Sequence, residues 1–343
     1  MASKSETVCK KRIDVTNLPG ATPRVEAIKE RFIKVTPEIC VERAQLITES
    51  YKETEDLPIH VRRAKAFEKI LNGMTIFIAD DELVVGNQCT KPRSAPVYPE
   101  FSCKWLEAEL DRLEKRTGDV FLISEDKKKT LRELFPYWDK KTSNELATSL
   151  MTSDALAAQG AGVFTVGNYY FNGVGHISVD YAKVLANGLN GVIAEAKAEL
   201  AKLDIADPDG LKKMHFLNAV IISNEAVIAF AGRFAAEAEK LAASEKNDQR
   251  KAELQEIARI CRKVPAQPAA SFWEAIQSFW FIQLVLQLES NGHSISPMRF
   301  DQYMYPYLQM DTAITAEKAQ ELLDLLYIKF SEINKVRDEG STK

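Results

Sequence analysis

The sequence predicts a mostly helical fold, and three observations carry that prediction. Apolar residues recur at helical spacing over most of the chain from Arg24 onward, only one short stretch carries strand signals, and no internal repeat or low-complexity tract interrupts the pattern. With 343 residues, 45% of them hydrophobic and 27% charged, the chain is long enough to bury a large core, and length alone suggests about two domains.

Taken in order, residues 1–22 are polar, run into Pro19-Gly20-Ala21-Thr22-Pro23 and read as a mobile leader. Helices are then predicted over Arg24–Glu55 with a break at Pro37, and over Pro58–Asn72, Lys104–Lys115, Glu125–Leu134, Ser143–Ala158, Val179–Leu203, Asp209–Lys240, Glu245–Val264, Ser271–Leu288 and Thr315–Asn334. Ser143-Asn144-Glu145 and Thr315-Ala316-Glu317 open two of them with a capping hydroxyl and an early carboxylate. Met74-Thr75-Ile76-Phe77-Ile78, turned by Asp80-Asp81-Glu82 into Leu83-Val84-Val85-Gly86, predicts a short β-hairpin. Segments 87–101 and 159–178 are irregular and are the loops most suited to carry function. The stripe through Phe216, Val220, Val227, Phe230 and Ala231 reads as core, as do Trp105, Trp138, Trp273 and Trp280.

A net charge of −4 argues against a nucleic-acid or anionic-membrane partner, which would call for a basic face. No uninterrupted apolar run reaches the length of a membrane span, and residues 1–22 lack the apolar centre of a signal peptide. Cys9, Cys40, Cys89, Cys103 and Cys261 are scattered and odd in number, which points to a reducing cytoplasm and to neither a disulfide framework nor a zinc site. Dinucleotide, phosphate-loop, zinc-protease and nucleophile-elbow motifs are absent.

Two turns concentrate the polar chemistry. In Val163–His176, Gly167, Gly173 and Gly175 allow a ligand close to the backbone, while Asn168, Tyr169, Tyr170, Asn172 and His176 offer side chains to it. In Glu289-Ser290-Asn291-Gly292-His293-Ser294-Ile295-Ser296-Pro297, an apolar helix ends in a carboxylate, an amide, an imidazole and hydroxyls, with Arg299 and Asp301 close behind. Such a density of hydrogen-bonding groups beside a buried helix is costly unless they face a ligand or each other. Two of the four histidines lie in these turns, and imidazole moves a proton near neutral pH. The residues by themselves lead to a mostly helical protein with a pocket for a small polar ligand.

Several segments carry a resemblance to a known family. They are Val41-Glu42-Arg43-Ala44, Arg62-Arg63-Ala64, Asp81–Gly86, Pro92–Phe101, Ser271-Phe272-Trp273-Glu274-Ala275-Ile276-Gln277, Arg299–Pro306 and Asn334-Lys335-Val336-Arg337, together with the two turns. From about residue 25 the chain resembles the pyruvate formate-lyase-like glycyl radical enzymes, most closely the B12-independent glycerol and propane-1,2-diol dehydratases. The resemblance implies a ten-stranded α/β barrel of which this chain is the mainly helical N-terminal part, with residues 23–343 inside the pyruvate formate-lyase-like domain. It implies that His176 protonates a departing substrate hydroxyl, that His293 and Ser294 hydrogen-bond the other hydroxyls, and that Asn168 orients the cluster.

The same resemblance implies no metal and no organic cofactor in this chain. It implies a glycyl radical in the full-length enzyme, installed by an S-adenosylmethionine-dependent iron–sulfur activase, a small polyol substrate, a homodimer and an anaerobic cytoplasm. The family's Gly-Cys-x-Glu and Arg-Val-x-Gly-Tyr loops are not in these 343 residues, so the expectation is an N-terminal portion that does not turn over alone. The alternatives are a formate acetyltransferase, choline lyase or hydroxyproline dehydratase of the same family, or a non-catalytic helical binding protein.

Overall fold

A computed structural model describes residues 20–164, 167–292 and 294–342, with the backbone alone for Asn168, Ser341 and Thr342. Most of the leader expected over residues 1–22 therefore lies outside the described residues. Helix α1 (Pro23–Lys34) starts on the Thr22 hydroxyl, which accepts from the Val25 amide, with proline at its first position. The expected break at Pro37 is occupied by strand β1 (Ile39–Cys40), and α2 (Glu42–Glu53) and α3 (Ile59–Gly73) follow.

The hairpin expected over residues 74–86 does not form. That backbone is irregular, and the polar groups of residues 83–86 are met by helix α12 (Phe272–Glu289) rather than by a partner strand. Gln277 accepts from the Val85 amide at 2.9 Å and donates to its carbonyl at 2.8 Å. Trp273 donates to Leu83 O at 3.0 Å and Trp280 to Gly86 O at 3.3 Å. Side-chain amides and indoles thus do the work of a strand neighbour, which apolar alternation cannot reveal. The strand partner of β1 is instead β2 (Ala95–Pro96), parallel to it, with Ile39 opposite Ala95.

The helix expected over Lys104–Lys115 shortens to α4 (Lys104–Glu109) and a 3₁₀ turn, Leu113–Lys115. Helix α5 (Glu125–Trp138) runs past its expected end and holds Pro136. The helix expected over Ser143–Ala158 is two, α6 (Ser143–Ser149) and α7 (Ser153–Gly160), because Thr152 caps a second start by accepting from the Ala155 amide. Helix α8 (Asn168–Asn172) lies inside the first polar turn and is followed by strand β3 (Ile177–Ser178).

Helix α9 (Tyr181–Leu200) bends at Gly188, whose φ is +67°. A Cβ there would stand 2.4 Å from the Ala266 carbonyl, so glycine lets the 265–267 segment cross close enough to accept from the Leu189 and Asn190 amides. Helix α10 (Gly210–Ser244) packs along α3, α9 and α11 (Asp248–Lys263) and buries Phe230, Ala231, Phe234, Ala235 and Ala238. By length and composition α10 is long and apolar enough to cross a membrane, although Glu225 and Arg233 interrupt it, so it is not an uninterrupted apolar run.

Helix α12 is the axis of the core. It begins on the Ser271 hydroxyl and is buried on nearly every side, from Phe272 to Leu288. Strand β4 (Ile295–Ser296) follows, then α13 (Phe300–Met310) and α14 (Ala316–Glu332). Sequence reading missed α13, which carries Pro306 where helical patterns are expected to stop. Tyr181, Phe279, Phe300, Tyr303 and Phe330 join α9, α12, α13 and α14 through ring contacts between 4.6 and 6.3 Å.

Candidate active site

The two polar turns, more than a hundred residues apart in sequence, form one object. β3 and β4 pair in parallel, with Ile177 opposite Ile295 and Ser178 opposite Ser296. The pairing extends backward through the Gly175 amide, which donates to Gly292 O at 2.9 Å, and the Asn291 amide, which donates to Gly173 O at 3.0 Å. His176 and Ser294 directly precede the paired Ile177 and Ile295.

Glycine makes this approach possible at two positions. Gly173 has φ +66° and a Cβ on it would lie 2.1 Å from the Phe101 ring. Gly292 has φ +60° and a Cβ on it would lie 2.0 Å from Gln287 Oε1. Both backbone shapes are open to glycine and unfavourable to other residues, and both sites lack room for a side chain.

His176 is exposed, and its Nδ1 lies 3.3 Å from the hydroxyl of Tyr169, whose ring meets the imidazole edge-on at 5.7 Å. Ser294 is exposed, with φ +59°. His293 and the side chain of Asn168 lie outside the described residues, although the backbone of Asn168 opens α8. Of the other polar residues in the first turn, Asn172 is buried, while the Tyr170 carbonyl accepts from the Ser143 hydroxyl at 2.5 Å. Arg299 and Asp301 form an exposed pair at 3.7 Å.

Beneath the paired turns sits a charged scaffold that ends α12. The last carbonyls of a helix have no partner within it and attract cations. Here Arg43 donates to Leu288 O at 2.8 Å and Arg63 donates to Glu289 O, while Lys335 and the Tyr98 hydroxyl donate to Gln287 O at 2.8 and 2.5 Å. The carboxylate of Glu100 binds Arg43 at 2.6 Å and Arg63 at 3.1 Å, and Arg63 reaches Glu289 at 2.5 Å. Burial raises the Glu100 pKa, but Arg43 and Arg63 outweigh it and hold the carboxyl below its ordinary value. Lys335 is desolvated among Arg43 and Arg337, which pushes its amine well below the usual lysine range.

Sequence reading did not assign these residues a role. Arg43, Arg63, Glu100 and Lys335 nevertheless all fall in the short segments that carry the family resemblance, and convergence on α12 is what those segments have in common. Among the described residues, no group of three or more histidine, cysteine, aspartate or glutamate side chains is arranged to hold a metal ion. Cys40, Cys89, Cys103 and Cys261 are buried.

A cavity of about 390 Å³ opens beside the pair of turns, between α12, β4 and α14, with Ser294 in its wall. His176 is not part of that wall. A larger hollow of about 520 Å³ lies on the other side, lined by Tyr169, Glu289, Ser290, Arg63 and Phe101 among others.

The family model described as pyruvate formate lyase-like matches residues 17–343. The chain belongs to the pyruvate formate lyase-like family. Among its relatives, the (2S)-3-sulfopropanediol dehydratase of Klebsiella oxytoca is 37% identical over 93% of this chain and 40% of its own length. The trans-4-hydroxy-L-proline dehydratase of Clostridioides difficile is 32% identical over 91% of this chain and 40% of its own length.

Two solved structures of pyruvate formate lyase-like relatives superpose with TM-scores of 0.93. The glycerol-bound form of the B12-independent glycerol dehydratase from Clostridium butyricum is 54% identical, matching 96% of this chain and 42% of that one. A Roseburia inulinivorans structure of 1,2-propanediol dehydration is 48% identical, matching 95% and 39%. A glycyl radical enzyme from Archaeoglobus fulgidus superposes with a TM-score of 0.86 at 35% identity. The chain thus spans about two fifths of the length of these relatives and corresponds to their N-terminal portion. The expected barrel class is that of these neighbours, and this chain is a mainly helical part of it.

Proposed function

We propose that this chain is the hydroxyl-gripping portion of a glycyl radical dehydratase that removes water from glycerol or propane-1,2-diol. The observation that supports the reading best is the parallel pairing of β3 with β4, which brings together the chain just after His176 and the chain just after Ser294. The 54% identity and close superposition with a glycerol-bound dehydratase favour a small diol over the other substrates in the family.

On this reading His176 delivers a proton to the hydroxyl that leaves as water. Tyr169, 3.3 Å from Nδ1, keeps the ring turned so that Nε2 faces the substrate. Ser294 and His293 hydrogen-bond the hydroxyls that stay, with Asn168 orienting the cluster. Holding the diol in one pose is itself a large part of the catalysis. In the full-length enzyme a glycyl radical, installed by a separate S-adenosylmethionine-dependent iron–sulfur activase, would supply the radical chemistry that starts with hydrogen-atom abstraction. No described cysteine stands at the paired turns, so none is assigned a part in that step. An anaerobic cytoplasm, a homodimer and the activase as partner belong to the same reading.

The test is ligand-observed NMR and calorimetry on the protein, with glycerol and propane-1,2-diol set against trans-4-hydroxy-L-proline and 3-sulfopropanediol. Both diols are expected to bind, and Ser294→Ala is expected to weaken them about tenfold, the worth of one hydrogen bond to a ligand. Binding of hydroxyproline or the sulfonate without either diol would remove the reading.

A further inference from the structure

We infer that Gln287 is a substrate-contacting residue that selects a neutral, hydroxyl-rich ligand in the cavity beside Ser294. The inference rests on the functional reading above and adds to it a residue and the charge class of the ligand.

The wall of the 390 Å³ cavity combines apolar Ile295, Pro297, Phe300, Leu326 and Phe330 with polar Gln283, Gln287, Ser294 and Tyr327. The two glutamines, one turn apart on α12, differ in what their amides do. Gln283 is fully used: its Nε2 donates to Ile295 O at 3.0 Å and its Oε1 accepts from the Tyr181 hydroxyl. Its work is to hold β4 against the core.

Gln287 is only 7% exposed, yet its carboxamide makes no hydrogen bond among the described residues. The Oε1 atom occupies the space that Gly292 leaves, 2.0 Å from where a Cβ on that glycine would lie. An amide that no protein group takes up, standing in a cavity wall, is ready to hydrogen-bond a ligand there.

The chemistry of the wall restricts what the ligand can be. No charged side chain lines it. A carboxamide is donor and acceptor at once, and so is a hydroxyl, which makes a neutral polyol a full match for Gln287 and Ser294 together. A sulfonate or carboxylate would use only the amide's donors and would enter the cavity without a counter-charge, which is unfavourable. The geometry therefore favours glycerol-like ligands over the charged substrates named for other relatives.

The experiment measures glycerol affinity by calorimetry for the parent protein, Gln287→Met, Gln287→Glu and Ser294→Ala, with thermal melting as a check on folding. Gln287→Met keeps the volume and removes both polar functions. It is expected to weaken glycerol binding about tenfold with little change in melting temperature. Gln287→Glu, which keeps the shape but loses the donors, is expected to weaken it as well and carries the test if the methionine variant melts early. Parent-like glycerol affinity in the well-folded Gln287 variants, with Ser294→Ala weakened, overturns the inference and leaves the functional reading standing. No glycerol binding by the parent removes both.

Discussion

Gly292 is where the demands on a single residue are easiest to count. It needs φ +60°, it has Gln287 Oε1 and the Lys335 side chain at 2.0 and 2.8 Å from a notional Cβ, and its carbonyl accepts from Gly175. Gly292→Ala must either abandon the left-handed backbone or displace the buried amide. The expected loss is about 1–3 kcal/mol, read as a shift in the urea midpoint. A midpoint equal to the parent's would mean that the turn relaxes freely. This glycine was legible in sequence only as part of a Gly-rich turn. The neighbours that make it irreplaceable come from α12 and from residue 335.

At the scale of the element, α12 does more than fill the core. Its Gln277, Trp273 and Trp280 serve the backbone of residues 83–86, and its last carbonyls gather Arg43, Arg63, Tyr98 and Lys335. The helix was legible, because a capping serine precedes a long apolar run. Its dealings with irregular backbone were not, since strand signals in Met74–Gly86 describe burial rather than pairing. Gln277→Leu keeps the volume while leaving the Val85 amide and carbonyl unsatisfied. Hydrogen exchange should then show the Val85 amide losing protection, with about 1–3 kcal/mol of stability lost. Retained protection at Val85 would show that another group holds that segment.

For the whole molecule, the buried carboxylates set the response to acid. Glu100 is held below its ordinary pKa against the push of burial by Arg43 and Arg63, and Glu274 likewise by Lys263 and Arg259. A depressed folded pKa contributes stability that is present above the unfolded value, about 4.3, and is lost as pH falls through the folded value. Glu332 runs the other way. Burial raises its pKa despite Lys329, so its carboxyl favours the folded state as pH drops, at a higher pH than the other two. Unfolding free energy measured by urea melts is therefore expected to fall steeply below about pH 4. Glu100→Gln or Glu274→Gln should flatten that acid limb. An unchanged limb in both variants would mean that these pairs do not govern acid unfolding.

By itself the sequence determined the helical content, the long buried helix before Glu289, the two turns that carry the polar chemistry and the family to which the chain belongs. Each of these is written in local spacing or in contiguous motifs. Only the tertiary structure decided that the turns pair in parallel just after His176 and Ser294, that Arg43, Arg63, Glu100 and Lys335 meet under one helix end, and that the amide of Gln283 is taken up by protein partners while that of Gln287 is not. A parallel pair closes across more than a hundred residues, and whether a buried amide has a partner depends on which distant backbone arrives beside it. Nothing local in the chain encodes either one.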